Sequence, residues 1–123
     1  MTKKIILSPE APAPIGPYSQ AVEVNNTLYV SGQIALSVFE AGGSIEEETN
    51  QVMLNLQHIL TAAGYSFDSV VKCSIFVKDM GHFAAINEVY GRYFVQNPPA
   101  RETVEVARLP KDVRVEISCI AYK

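Results

Sequence analysis

The chain has no tryptophan, two cysteines, two histidines and no apolar run longer than a few residues. Each scarcity removes a class of protein. Cys73 and Cys119 lie far apart with no CxxC partner, so neither a zinc knuckle nor a disulfide framework is indicated, and a reducing, cytoplasmic compartment is expected. Only Ile5 to Leu7 follow the two N-terminal lysines before Ser-Pro-Glu, too little for a signal-peptide core, and nothing approaches the ~20 apolar residues that span a bilayer. His58 and His82 stand alone without metal-ligand spacing, so no metal is expected. Gly42-Gly43 lacks the context of a phosphate-cradling loop, and no GxSxG elbow is present. With 10 Lys+Arg against 13 Asp+Glu the net charge is −3, the wrong sign for holding phosphate backbones. What is present is 123 residues, 48% hydrophobic and 19% charged, enough for one compact domain spanning 1–123 without cross-links.

Prolines 9, 12, 14 and 17 impose an extended arm that leads to Tyr18. The segment AVEVNNTLYVSGQ reads as a β-hairpin turning at Asn25-Asn26, and the stretch from there to Gly43 reads as loop. Ser44 and Glu47 have capping-box spacing before Val52, Met53, Leu56, Ile59, Leu60 and Ala63, which predicts a helix stopped by Gly64. Val71, Cys73, Ile75 and Val77 alternate with polar positions as in a strand. A second helix is expected with the stripe Phe83, Ile86, Tyr90, Tyr93 and an end at Pro98-Pro99. Thr103 to Arg108 and Val113 to Tyr122 then flank a Leu109–Asp112 turn and read as a closing hairpin. The order β-β-β-α-β-α-β-β predicts an α+β two-layer sandwich. Leu28, Val30, Phe76 and Ile120 supply apolar groups that two helices cannot all cover, which predicts a homo-oligomer.

Candidate chemistry is sparse. Both cysteines sit on apolar strand faces and read as core thiols, and Glu46-Glu47-Glu48 suits the first turn of a helix through its dipole. Arg101 stands out because the rigid Asn97-Pro98-Pro99-Ala100 approach limits where its guanidinium points. Its planar fork suits a carboxylate held in two bonds, or pairing with Glu102 or Glu105. Glu116 alternates away from Val115 and Ile117, onto an uncovered sheet face shared with Arg114 and Ser118.

Five stretches carry a resemblance across nearly the whole chain: Ile15-Gly16-Pro17-Tyr18-Ser19-Gln20-Ala21, Ser31-Gly32-Gln33-Ile34, Phe76-Val77-Lys78-Asp79, Pro99-Ala100-Arg101 and Val104 to Pro110. Together they resemble the reactive intermediate deaminases of the RidA/YjgF family. The resemblance implies a chorismate-mutase-like fold, a homotrimer with sheets packed inward and clefts between subunits, and hydrolysis of enamines or imines to 2-oxo acids and ammonia without a cofactor. It places the carboxylate-binding arginine at Arg101 and the water-positioning glutamate at Glu116. It places substrate contacts at Tyr18, Ser31, Gly32, Asn87 and Thr103. Two positions depart from the family pattern. Glu102 stands where a small residue is common, and Leu36 to Ser44 lacks the usual Asn-Pro-x-Thr-Gly turn.

A regular hairpin around Leu109–Asp112 would set residue 116 near residue 105, leaving Arg101 roughly 13 Å away at ~3.3 Å per residue. A pocket using both then needs a ligand and water between them, or two chains. Two function classes fit these residues: hydrolysis of 2-aminoacrylate-like enamines and 2-imino acids, or a non-catalytic trimer that binds small 2-oxo or amino acids. An RNA-cleaving role is disfavoured by the net charge and by the lack of a basic-aromatic patch.

Overall fold

The structure is a computed structural model and describes residues 2–123. Strands β1 (Lys4–Ile6), β2 (Ala21–Val24) and β3 (Thr27–Gln33) are followed by helices α1 (Leu36–Glu40) and α2 (Ile45–Ala62). Then come β4 (Val70–Val77), α3 (Phe83–Gly91), β5 (Ala100–Glu105) and β6 (Val115–Tyr122). The strands form one sheet in the order β1-β2-β3-β6-β4-β5, antiparallel except for the parallel β4–β5 pair that α3 connects. The α+β two-layer reading therefore holds. Asn25 and Asn26 turn the first hairpin with φ of 49° and 62°, the left-handed conformation a tight hairpin turn requires.

Ser44 caps α2 with the expected reciprocal box: its hydroxyl accepts from Glu47 N and the Glu47 carboxylate accepts from Ser44 N. Val52, Met53, Leu56, Ile59 and Leu60 then fall on one face and are completely buried against Leu28, Ile75 and Ile117 of the sheet. Gly64, at φ 81°, ends the turn after the helix in a conformation that a side chain would strain. No helix among the described residues is long and apolar enough to cross a membrane.

Several expectations require correction. Leu36–Glu40 is a short helix, not loop, because Phe39 N and Ala41 N bond back to Ala35 O and Ser37 O and close its turns locally. The second helix stops at Gly91, well before the prolines, and Tyr93 packs on Phe67 instead of extending the stripe. A bulge between Val70 and Lys72 buries Val70 and turns Val71 out to solvent. Leu28 and Val30 belong to the helix-covered core, while Phe76 and Ile120 lie on the bare face beside exposed Tyr29 and Val104.

The larger correction concerns the end of the chain: β5 and β6 form no hairpin. Strand β4 lies between them, paired with β5 in parallel and with β6 antiparallel, so the Leu109–Asp112 segment crosses over the end of β4. The crossover through α3 fixes this, since it returns the chain parallel to β4 on the outer edge and leaves the gap between β3 and β4 for β6.

Arg114 leaves the bare face on which alternation placed it. Its Nε donates to Glu48 Oε1 at 2.7 Å, its backbone N to Glu48 Oε2 at 2.9 Å, and its guanidinium also donates to Gly43 O at 2.6 Å. Glu48 is thus more than a dipole-suited helix start. It is a fully buried carboxylate that ties α2 and the α1–α2 turn to the beginning of β6. Removing the arginine strands that charge. Arg114→Leu is expected to cost ~3–5 kcal/mol in urea unfolding, the usual penalty for orphaning a buried ion, whereas Glu48→Gln should cost clearly less.

Candidate active site

The sheet distributes the seven predicted site residues between two places. Tyr18, Ser31, Gly32 and Glu116 line one cavity of about 390 Å³ together with Ile15 and Ile34. The proline arm forms its rim, held down where Gln20 Nε2 donates to Ser8 O and Pro12 O and Gln20 Oε1 accepts from Ser8 N. Prolines cannot donate backbone hydrogen bonds, so a buried side-chain amide does the anchoring. Tyr18 OH accepts from Ile15 N at 3.3 Å, and Ser31 Oγ donates to Ser19 O at 2.6 Å. Gly32 lies where the register of β3 against β6 shifts, and the Glu116 carboxylate covers it: a Cβ there would stand 2.8 Å from Glu116 Cδ. Only glycine leaves room for that carboxylate.

The other three residues meet at the far edge of the sheet. Arg101 on β5 donates through Nη2 to Asn87 Oδ1 at 2.5 Å, and its guanidinium carbon lies 5.0 Å from the Tyr90 ring centre and 5.6 Å from that of Phe83. Phe83, Asn87 and Tyr90 recur at i, i+4 and i+7, one face of α3. That spacing was readable in the sequence, but Phe83 and Tyr90 were assigned to core packing and their part in cradling the guanidinium was missed. Thr103, two residues along β5, points the same way and buries a hydroxyl that has no partner, as does Tyr90. No carboxylate among the described residues lies within ion-pair distance of Arg101, so the pairing with Glu102 or Glu105 does not occur. Glu102 instead bonds Lys72 at 2.8 Å and Ser74 on the opposite face.

The register measures the gap between the two groups. Arg101 is level with Cys73 on β4 and Cys119 on β6, whereas Glu116 is level with Phe76. Arg101 and Glu116 are therefore two strands apart, ~10 Å across the sheet and ~10 Å along it, which replaces the single-hairpin estimate. They also lie on opposite faces. Arg101 and Thr103 share the helix-covered side with buried Cys73 and Ile75, and Glu116 shares the bare side with Phe76 and Ser118. One chain does not bring them together.

The matching family model, described as Endoribonuclease L-PSP, covers residues 8–123. The chain belongs to the RidA/YjgF family. A RutC family protein of Pyrococcus horikoshii is 49% identical over 98% of both chains, and the mouse 2-iminobutanoate/2-iminopropanoate deaminase is 46% identical over 98% of this chain and 92% of its own. Among solved structures, E. coli TdcF with bound serine superposes with a TM-score of 0.91 at 38% identity, covering 98% of each chain. RidA from an Antarctic Psychrobacter gives 0.90 at 39% identity, over 98% of this chain and 99% of that one. The fold is thus the chorismate-mutase-like fold of this family.

Within this family member, burial sets the electrostatics. Desolvation pushes both thiols up and keeps them protonated, as expected of core cysteines. No cluster of three or more potential metal ligands occurs among the described residues. Desolvation alone also raises the Glu116 carboxyl above its ordinary value. Because the folded-state value is raised, the native state binds the proton more tightly than the unfolded chain does. This contribution is therefore fully present below the unfolded-state value and is lost as pH rises through the folded one. Glu116→Gln is expected to remove the unfavourable burial and give a Tm equal to or above the parent at about pH 7, with the difference shrinking toward about pH 4 in a series of melts. A variant clearly less stable than the parent at neutral pH would show that the carboxylate is structurally required.

Proposed function

We propose that the protein hydrolyses 2-imino acids and their enamine tautomers to 2-oxo acids and ammonia, at sites assembled from two subunits of a homotrimer. The observation that carries this reading is the separation of the half-sites. A clamped, carboxylate-free guanidinium stands at one sheet edge, and a desolvated carboxylate over Gly32 stands on the bare face. Each is incomplete alone. The bare face offers the apolar surface on which copies would associate, with Tyr29, Phe76, Val104 and Ile120 spread across it. The name of the mouse relative supports the same chemistry.

In this reading Arg101 takes the substrate carboxylate in its fork, held in place by Asn87 and stacked over Tyr90, while the unpartnered Thr103 hydroxyl faces the same ligand. The protonated imine carbon is already electrophilic, so the protein has only to orient it and a water molecule. Glu116, raised by desolvation into a better base, accepts a proton from the water as its oxygen bonds to the imine carbon. Glu116 returns that proton to nitrogen, the carbon–nitrogen bond then breaks as ammonia leaves, and the proton of the new hydroxyl passes through Glu116 to the ammonia as the carbonyl of the 2-oxo acid forms. Gly32 leaves room for the carboxylate, and Tyr18 and Ser31 shape the cavity wall. No cofactor enters these steps. Nucleic-acid cleavage fits less well, since acidic Glu116 is the only charged side chain in this cavity.

Arg101→Lys is expected to raise KM at least tenfold for a 2-imino acid, because a point charge cannot reproduce the two-bond fork. Unchanged kinetics in folded protein would remove Arg101 from the site. The shared site has its own test. Arg101→Ala and Glu116→Gln should each be inactive alone, yet unfolding and refolding the two together should restore about a quarter of the sites, those pairing an intact arginine with an intact glutamate across subunits. No recovery in demonstrably mixed trimers would mean that each site belongs to one chain. Turnover absent throughout, with 2-oxo acids still bound, would favour the binding-protein reading.

A further inference from the structure

Two more cavities indent the chain. The second, of about 290 Å³, runs beneath the proline arm to α1 and shares Tyr18, Gly32 and Ile34 with the Glu116 cavity, so it belongs to that site. The third, of about 530 Å³, shares no lining residue with either and has no part in the proposed hydrolysis. It lies where the parallel strands β4 and β5 begin, between the turn Phe67–Ser69 that leads into β4 and the segment that carries the chain from α3 to β5. After Gly91 ends the helix, Tyr93 N and Phe94 N bond back to Tyr90 O and Gly91 O. Asn97 then takes a left-handed φ of 51° before the two prolines hold the approach to β5. Three aromatic rings wall the space this bend leaves: Phe67 lies 5.3 Å from both Tyr93 and Phe94, tilted at 55° to the first and edge-on at 85° to the second. Asp68 supplies the one charged side chain, and Gln96 and Asn97 supply amides. None of the three side chains has a hydrogen bond or ion pair among the described residues. The Tyr93 hydroxyl donates to Asn50 Oδ1 at 2.5 Å, and burial pushes its ionisation up, so it stays neutral. No Lys, Arg or His lines the cavity, and Arg92, next to Tyr93 in the chain, is held by Glu88 at 2.9 Å.

We propose that this third cavity binds a small organic ammonium ion, a primary amine with an aromatic or apolar body. Ring faces carry negative potential that attracts a cation, and the unpaired Asp68 carboxylate adds a full opposite charge. The Gln96 and Asn97 side-chain carbonyls can accept from the N–H groups of the ammonium, which has three donors and no acceptor. The apolar body of the amine gains the surfaces of Phe67 and Phe94. A neutral molecule of the same shape keeps those contacts but loses the charge attraction, and an anion meets Asp68 with no cation to offset it. The site needs neither Arg101 nor Glu116. Phe94 nonetheless packs 4.8 Å from Tyr90, the ring stacked on Arg101, so the decisive substitutions belong at exposed Asp68 and Gln96 and not at the rings.

The test titrates 2-phenylethylammonium into the isotope-labelled full chain and follows backbone amide shifts by NMR. Saturable shifts centred on Phe67 to Ser69 and Tyr93 to Asn97 are expected, with a Kd on the order of 1 mM for a probe of this size. The uncharged isostere 2-phenylethanol should bind about fivefold or more weakly. Asp68→Asn should bring the two probes to nearly equal affinity, and Gln96→Lys, which places a cation in the wall, should weaken the ammonium about tenfold. Both variants should melt at the parent temperature, because these side chains are exposed and make no bonds that the fold uses. Equal binding of ammonium and alcohol to the parent, or an ammonium affinity unchanged in Asp68→Asn, overturns the site. Shifts centred on Gly32 and Glu116, where the acidic side chain of the other cavity draws the cation instead, overturn it as well.

Discussion

The insertion of β6 between β3 and β4 organises everything else in this protein. It converts what would be an edge hairpin into the centre of the sheet and buries Val115, Ile117, Cys119 and Ala121 beneath α2. Alternation then obliges Glu116 and Ser118 to face the other way, onto a surface that no helix or strand among the described residues covers. The same insertion pushes β5 to the margin, where Arg101 and Thr103 lie against α3 and apart from the glutamate. The separation of Arg101 from Glu116 thus follows from strand order.

The Glu48–Arg114 pair shows how such an insertion is secured. A strand entering the middle of a sheet must be fixed at its first residue, because a one-residue slip would turn Glu116 into the core and Val115 out. The buried carboxylate accepts from both the backbone and the side chain of Arg114, immediately before β6 begins, and so sets the register where it matters. Gly43 and Phe39 complete the grip on the guanidinium, so α1 contributes to the alignment of the strand as well as to the wall of the second cavity.

Arg101 and Glu116 are held in different surroundings. The guanidinium is restrained by an amide and two aromatic rings that leave its charge uncompensated, which suits the capture of an anion. The carboxylate occupies the room that Gly32 leaves and is perturbed by partial burial, which suits proton transfer. Neither uses the cysteines, whose burial keeps them inert at the centre of the sheet.

Local patterns determined much of this protein. The capping box and apolar stripe of α2, the Asn25-Asn26 turn, the β4 alternation and the family motifs were all written within short windows of sequence, because each depends on neighbours a few residues apart. The family resemblance also named Arg101, Glu116 and Asn87, and strand alternation turns Glu102 away from Arg101 and Thr103. Tertiary structure alone decided the rest. Whether Pro110 begins a hairpin turn or a crossover depends on which strand already occupies the adjacent edge, and that is settled earlier in the chain by α3, which sets β5 on the outer edge of β4. Arg114 leaves its alternation-assigned face because a carboxylate 66 residues away is buried without another partner. The guanidinium cradle and the second cavity exist only once α3 and α1 have packed beside the sheet. Interactions between residues this far apart in the chain carry no local period, so only the folded structure reveals them.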